Sequence, residues 1–221
     1  MRGTYWYWSA ASLLISCLVG DVAMAQTGVT CEPVAQRGDR TLGCYITARE
    51  SLGHVPADAI LYWHIDSFPT LAAAEAARAG RATAVSSLGS AWLFTLADSA
   101  WHSKTGHHVA IVGPVPVVAA DSLAAVYMEG IFEPGMKTLA HRHPGAEAWY
   151  TLAGAQCLET PKGKIVQRAG ESGMIVPAGV PMMLVGIGTT VRRSLVLILQ
   201  DASQPRSIPA MDWVPAGLCS S

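Results

Sequence analysis

The chain reads as mainly β, a sandwich or barrel of antiparallel strands, on three observations. Short runs rich in branched and aromatic residues recur along it, each bounded by Gly, Pro, Asp or Ser. Only one stretch, Leu71–Ala79, has the composition of a helix. The last run, Leu195-Val-Leu-Ile-Leu199, is apolar throughout, so as a strand it must be covered on both faces.

Residues 1–25 are set aside as a secretory signal peptide. Arg2 gives a positive start, Ser9 to Gly20 is apolar, and Ala23-Met24-Ala25 is a small-residue cleavage pattern before Gln26. The apolar run is too short for a spanning helix, which needs about 20 residues. Leu14-Ile15-Ser16-Cys17 resembles a lipoprotein box, but Leu18 and Val19 prolong the apolar run past it. A periplasmic or secreted protein is expected, with no membrane span once the leader is removed.

Cleavage would remove one base, Arg2, and one acid, Asp21, so the formal net charge stays at −1. That balance offers no basic face for nucleic acid. Charged residues make up 14% of the 221-residue chain, against a usual ~25%, which favours self-association and predicts a homodimer. Four of the five cysteines follow the leader: Cys31, Cys44, Cys157 and Cys219. Four cysteines permit three pairings, and an oxidising compartment invites them. Cys31 with Cys44 and Cys157 with Cys219 is the expected pairing; free buried thiols are the alternative.

Residues 26–105 read as a small α+β region. Cys44–Ala48, Ile60–Ile65 and Ala91–Leu96 are strands, and the helix over 71–79 has Thr70 as its N-cap and Gly80 as its stop. Residues 106–202 read as the main β unit. Its strands are Val109–Val112 and Val115–Val118 around Gly113-Pro114, then Ala125–Phe132, Glu147–Leu152, Gln156–Glu159, Ile165–Arg168, Met174–Val176, Met182–Gly186 and Ser194–Gln200. Residues 203–221 form a surface tail. No linker separates the first two regions, so a shared core is expected.

Chemistry concentrates in Ala140-His141-Arg142-His143-Pro144-Gly145-Ala146-Glu147. Residues two apart on a strand share a face, so His141 and His143 project in parallel. Pro144-Gly145 supplies a turn, and a following strand returns the Glu147 carboxylate to the same place. Two imidazoles and a carboxylate suit a divalent first-row metal, and with open positions they match the facial set of non-haem iron oxygenases. On that following strand Glu147, Trp149 and Thr151 point inward, with Ala148, Tyr150 and Leu152 outward. Trp149 is then a candidate pocket wall.

The spacing of Gly135, His141, His143, Glu147 and Gly154 resembles the first signature motif of the cupin superfamily at every fixed position. Gly170, Pro177 and Gly179 resemble the second motif, with one extra residue between Gly170 and Pro177 for a bulge or longer turn to absorb. Met182 stands where that motif carries its histidine. The resemblance covers residues 120–200. It implies a cupin-type antiparallel β-barrel, a double-stranded β-helix or jelly roll, with the N-terminal α+β region packed on it.

Three readings of Met182 stay open: an apolar neighbour of a three-ligand site completed by water or substrate, a weak axial ligand, or the mark of a barrel that binds an organic ligand without metal. Iron is the first candidate cofactor, with manganese, nickel, copper or zinc as alternatives. The resemblance implies a metal-dependent dioxygenase, lyase or isomerase acting on a small organic molecule, or else a non-catalytic binding module on the same fold. His54, His64, His102, His107 and His108 lack a partner at ligand spacing. No serine-hydrolase elbow, phosphate loop or dinucleotide fingerprint occurs.

Overall fold

A computed structural model describes residues 1, 3 and 28–219. Apart from Met1 and Gly3, the expected leader, with Arg2, the Cys17 box and the Ala25 site, lies outside them. Among the described residues no helix is long and apolar enough to cross a membrane.

The chain begins with Cys31–Pro33 (β1) and a short 3-10 turn, then Gly43–Gly53 (β2) and Leu61–Phe68 (β3). Helix α1 (Leu71–Ala76) leads into Ala82–Ser87 (β4), Ser90–Ala97 (β5) and His107–Val115 (β6). The second half runs through Leu123–Phe132 (β7), His141–Arg142 (β8), Ala146–Ala153 (β9), Ala155–Thr160 (β10) and Gly163–Arg168 (β11). Met174–Val176 (β12), Met183–Ile187 (β13), Arg192–Asp201 (β14) and Ile208–Pro209 (β15) complete it.

The main layers are three sheets. A six-stranded sheet in the order β1-β2-β7-β14-β9-β12 lies between a three-stranded sheet, β11-β10-β13, and a four-stranded sheet, β4-β5-β3-β6. The six- and three-stranded sheets form the jelly-roll pair. β1 pairs parallel with β2, a departure from the all-antiparallel expectation. The sheets also interleave the two stretches on either side of residue 105: β2 joins the six-stranded sheet, and β6 joins the four-stranded one.

β14 fixes this arrangement because it is apolar on both faces. Val196 and Ile198 face Met128, Trp149 and Leu184 on the jelly-roll side. Leu195, Leu197 and Leu199 face Trp63, Phe94 and Tyr127 on the other. Each such fully buried side chain stabilises the fold by roughly 2 kcal/mol. The same geometry corrects one expectation for β9. Glu147, Trp149 and Thr151 do share the inner face, but Ala148 is fully buried too. Its side of the strand packs on the N-terminal sheet instead of meeting solvent.

Two further elements differ from expectation. The helix starts where predicted, with the Thr70 hydroxyl accepting from Ala73 N at 3.1 Å, a cap worth about 1 kcal/mol. It ends at Ala76, three residues before the expected Ala79, and the Arg78 side chain beyond it donates to the Ala82 carbonyl at 3.0 Å. Gly113-Pro114 does not break the chain into two strands; β6 runs through it. Pro114 is tolerated there because β6 is an edge strand. Gly113 is required because a Cβ would lie 2.4 Å from the Tyr62 ring.

Candidate metal centre

β8 and the start of β9 carry the three predicted donors. His141 pairs with Met182, each residue's N–H donating to the other's carbonyl at 3.0 and 2.8 Å. The His143 carbonyl accepts from Gly179 N at 2.8 Å, which ties the two motif segments together. Gly145 makes the tight return between the arms: a Cβ on it would sit 2.0 Å from the Leu199 carbonyl oxygen. Gly154, at the far end of β9, has φ +69°, and a Cβ there would meet the Arg192 Cα at 2.8 Å. A turn over 169–173 precedes β12 and Pro177, and in it Gly170 N donates to the Thr151 carbonyl.

One ligand atom from each of His141, His143 and Glu147 lies within 4.8 Å of the others. The imidazole rings stand nearly perpendicular, at 81° and 4.8 Å between centroids. His143 and Glu147 are 4% and 5% exposed. His143 Nε2 lies 3.0 Å from Glu147 Oε2, yet both atoms are buried without a hydrogen-bond partner. Buried polar atoms are nearly always satisfied, so this pair has the signature of atoms aimed at a third species.

The opposite edge of each ring fixes the tautomer. His141 Nδ1 lies 2.7 Å from the Leu139 carbonyl, and His143 Nδ1 lies 2.5 Å from that of Arg206. A carbonyl can only accept, so each Nδ1 carries a hydrogen, and in the neutral ring each Nε2 keeps its lone pair. That is the outer-shell pattern which orients metal-ligating histidines. Burial lowers the His141 pKa, favouring the neutral ligand form. Burial also opposes protonation of His143, but the adjacent Glu147 carboxylate and the Arg206 carbonyl together outweigh it and hold that pKa above its ordinary value. A cation arriving here would displace that proton.

The donors open on a cavity of about 640 Å³. Trp149 and Met182, both buried, line it, and the bonded Cys31–Cys44 pair forms another wall. Cys157 and Cys219 are bonded away from it, so both expected pairings are present. Arg206, Ser207, Pro209 and Met211 from the tail complete the cavity. Sequence reading missed two lining residues, Arg192 and Arg206. The signal for Arg192 was alternation: Ile198, Val196 and Ser194 share the Glu147 face, and Arg192 continues that series.

No family model matches the chain, and no curated protein matches it. Solved structures do. One is a cupin domain from Bordetella pertussis Tohama I, 24% identical over 34% of this chain and 81% of that one, with a TM-score of 0.30. A second is a cupin-like protein from Thermotoga maritima MSB8, 15% identical over 42% and 65% of the two chains, at 0.34. A third is an oxalate decarboxylase variant from B. subtilis, 25% identical over 39% and 24%, at 0.30. In this chain itself, both motif segments meet at one cavity between the two jelly-roll sheets. This part of the chain resembles a cupin domain in its motif spacing and sheet arrangement. Its donor set keeps two histidines and the glutamate of the cupin pattern, with the thioether of Met182 opposite His141 in place of the third imidazole.

Proposed function

We propose that this chain is an exported metal-binding cupin whose His141, His143 and Glu147 hold a divalent first-row metal, iron foremost, for chemistry on a small organic molecule. The observation that carries this reading is the buried, partnerless pair His143 Nε2 and Glu147 Oε2. His141, His143 and Glu147 would hold the metal, which would supply Lewis acidity and, if iron, redox capacity. The protein's own residues do the rest. Leu139 and Arg206 carbonyls lock the imidazoles, and Trp149 and Met182 keep that side of the site apolar. The two disulfides support the reading of an oxidising compartment, which the sequence of residues 1–25 also suggests.

A non-catalytic binding module is the second reading, favoured by one observation. Beyond the three donors, the described residues lining the cavity include no further carboxylate, lysine, tyrosine or histidine to act as acid or base. Titrating metal-free protein with cobalt(II) tests the metal site common to both metal-loaded forms. Saturable visible absorption bands that disappear in His141→Ala are expected; a featureless spectrum would remove the assignment.

A further inference from the structure

Arg192 is a buried cation without a counter-ion. It is 2% exposed, and no carboxylate of a described residue comes within ion-pair distance of it. Its Nε has no hydrogen-bond partner. Its guanidinium carbon lies 5.1 Å from the centre of the Phe132 ring, which gives it a cation–π neighbour but no acceptor. Gly130 leaves the room it occupies, since a Cβ there would fall 2.6 Å from Nη1. A charge kept out of water without a partner is costly, and a fold retains one when something else completes it.

We propose that the cavity binds an organic monocarboxylate with an apolar body, its carboxylate seated on the Arg192 guanidinium. This names the ligand class for the site described above and rests on that cavity being the functional one. Arg192 borders the cavity together with the donor cluster. Burial pushes its pKa down to about 9, with the charge of Glu147 opposing, so it stays charged at neutral pH. Arg206 adds a second positive charge, against the single carboxylate of Glu147. Phe132, Trp149, Leu184 and Val196 make much of the remaining wall apolar. A single deep guanidinium fork matches one planar carboxylate, whereas a phosphate dianion would call for more donors than this cavity directs inward. The volume accommodates a small organic acid.

The test is calorimetric titration of the metal-free full chain with phenylacetate, with neutral phenylacetamide and with inorganic phosphate. Phenylacetate is expected to bind at least tenfold more tightly than either of the others. Arg192→Met, close in volume, should erase that preference without lowering the melting temperature, because it removes an unpaired buried charge. Arg192→Lys keeps charge but not the fork and should weaken phenylacetate severalfold; it decides the matter if Arg192→Met does not fold. Equal binding of acid and amide, tighter binding of phosphate, no binding of any probe, or an unchanged preference in the folded variants would overturn the proposal. Metal uptake on reloading the same wild-type protein separates the two readings. A preference for the acid without metal uptake contradicts only the metal site, and metal uptake without that preference contradicts only the ligand class.

Discussion

His143 Nε2 and Glu147 Oε2 face each other across 3.0 Å without hydrogen-bond geometry, deep in the cavity between the six- and three-stranded sheets. The next-nearest donor, from His141, lies within 4.8 Å of both. Glu147→Gln keeps the shape and removes the charge. It should cost divalent-metal affinity more than the roughly 10–100-fold typical of losing an outer-shell partner. Competition with a chromogenic chelator measures this, and an unchanged affinity would mean the carboxylate is not a ligand.

Met182 stands directly across from His141 and is buried in the apolar cluster with Leu184 and Trp149. Met182→His would restore an imidazole at the place where the second cupin motif carries one. Tighter zinc binding is expected, since zinc favours four donors. If the variant instead binds more weakly while remaining folded, position 182 does not face the donor set.

The tail is held by more than the Cys157–Cys219 bond. The buried Glu159 carboxylate accepts from the backbone of Gly217 and Leu218 at 3.1 and 2.9 Å, and Arg142 pairs with Asp212. Chain entropy assigns about 4 kcal/mol to a bridge spanning 62 residues and about 3 kcal/mol to the Cys31–Cys44 bridge spanning 13. Serine replacement of Cys157 and Cys219 together should therefore destabilise the protein more in urea than replacement of Cys31 and Cys44. The reverse order would show that the tail contributes little to the folded state.

His64 gives the fold a pH dependence separate from the metal site. It is buried beside Trp101, with Nε2 2.8 Å from the Asp98 carbonyl. Burial lowers its pKa below 6.5, partly offset by that bond and by Asp66. A depressed folded pKa means the unfolded chain takes the proton more readily. The contribution of His64 is thus complete above pH 6.5 and lost as pH falls through the lower folded value. Asp66 has the opposite sense: burial raises its pKa above 3.8, against the pull of His108, so its contribution diminishes as pH rises. His64→Gln should lose less stability than the wild type between pH 6.5 and about pH 5, where histidines titrate. Parallel denaturation curves for the two proteins would contradict this.

Much of this was legible because β patterning and motif spacing are local. Alternation placed Glu147 and Trp149 on one face, and the His-Pro-Gly turn brought the histidines to them. The second buried face of β9 was not legible. Ala148 and Tyr150 are outward residues only if no sheet covers them, and that depends on packing between distant segments. Arg192 was missed because β14 was expected to begin at Ser194, two residues too late for the alternation to reach it. Arg206 belongs to a tail whose path no periodicity records.

Metal analysis by plasma mass spectrometry, on mature protein purified without a histidine tag, tests the central claim most directly. The account predicts close to one equivalent of a first-row divalent metal per chain, lost in a folded His141→Ala variant. A metal-free wild type that refuses iron, manganese, nickel, copper and zinc, or a variant that retains the full complement, would contradict it.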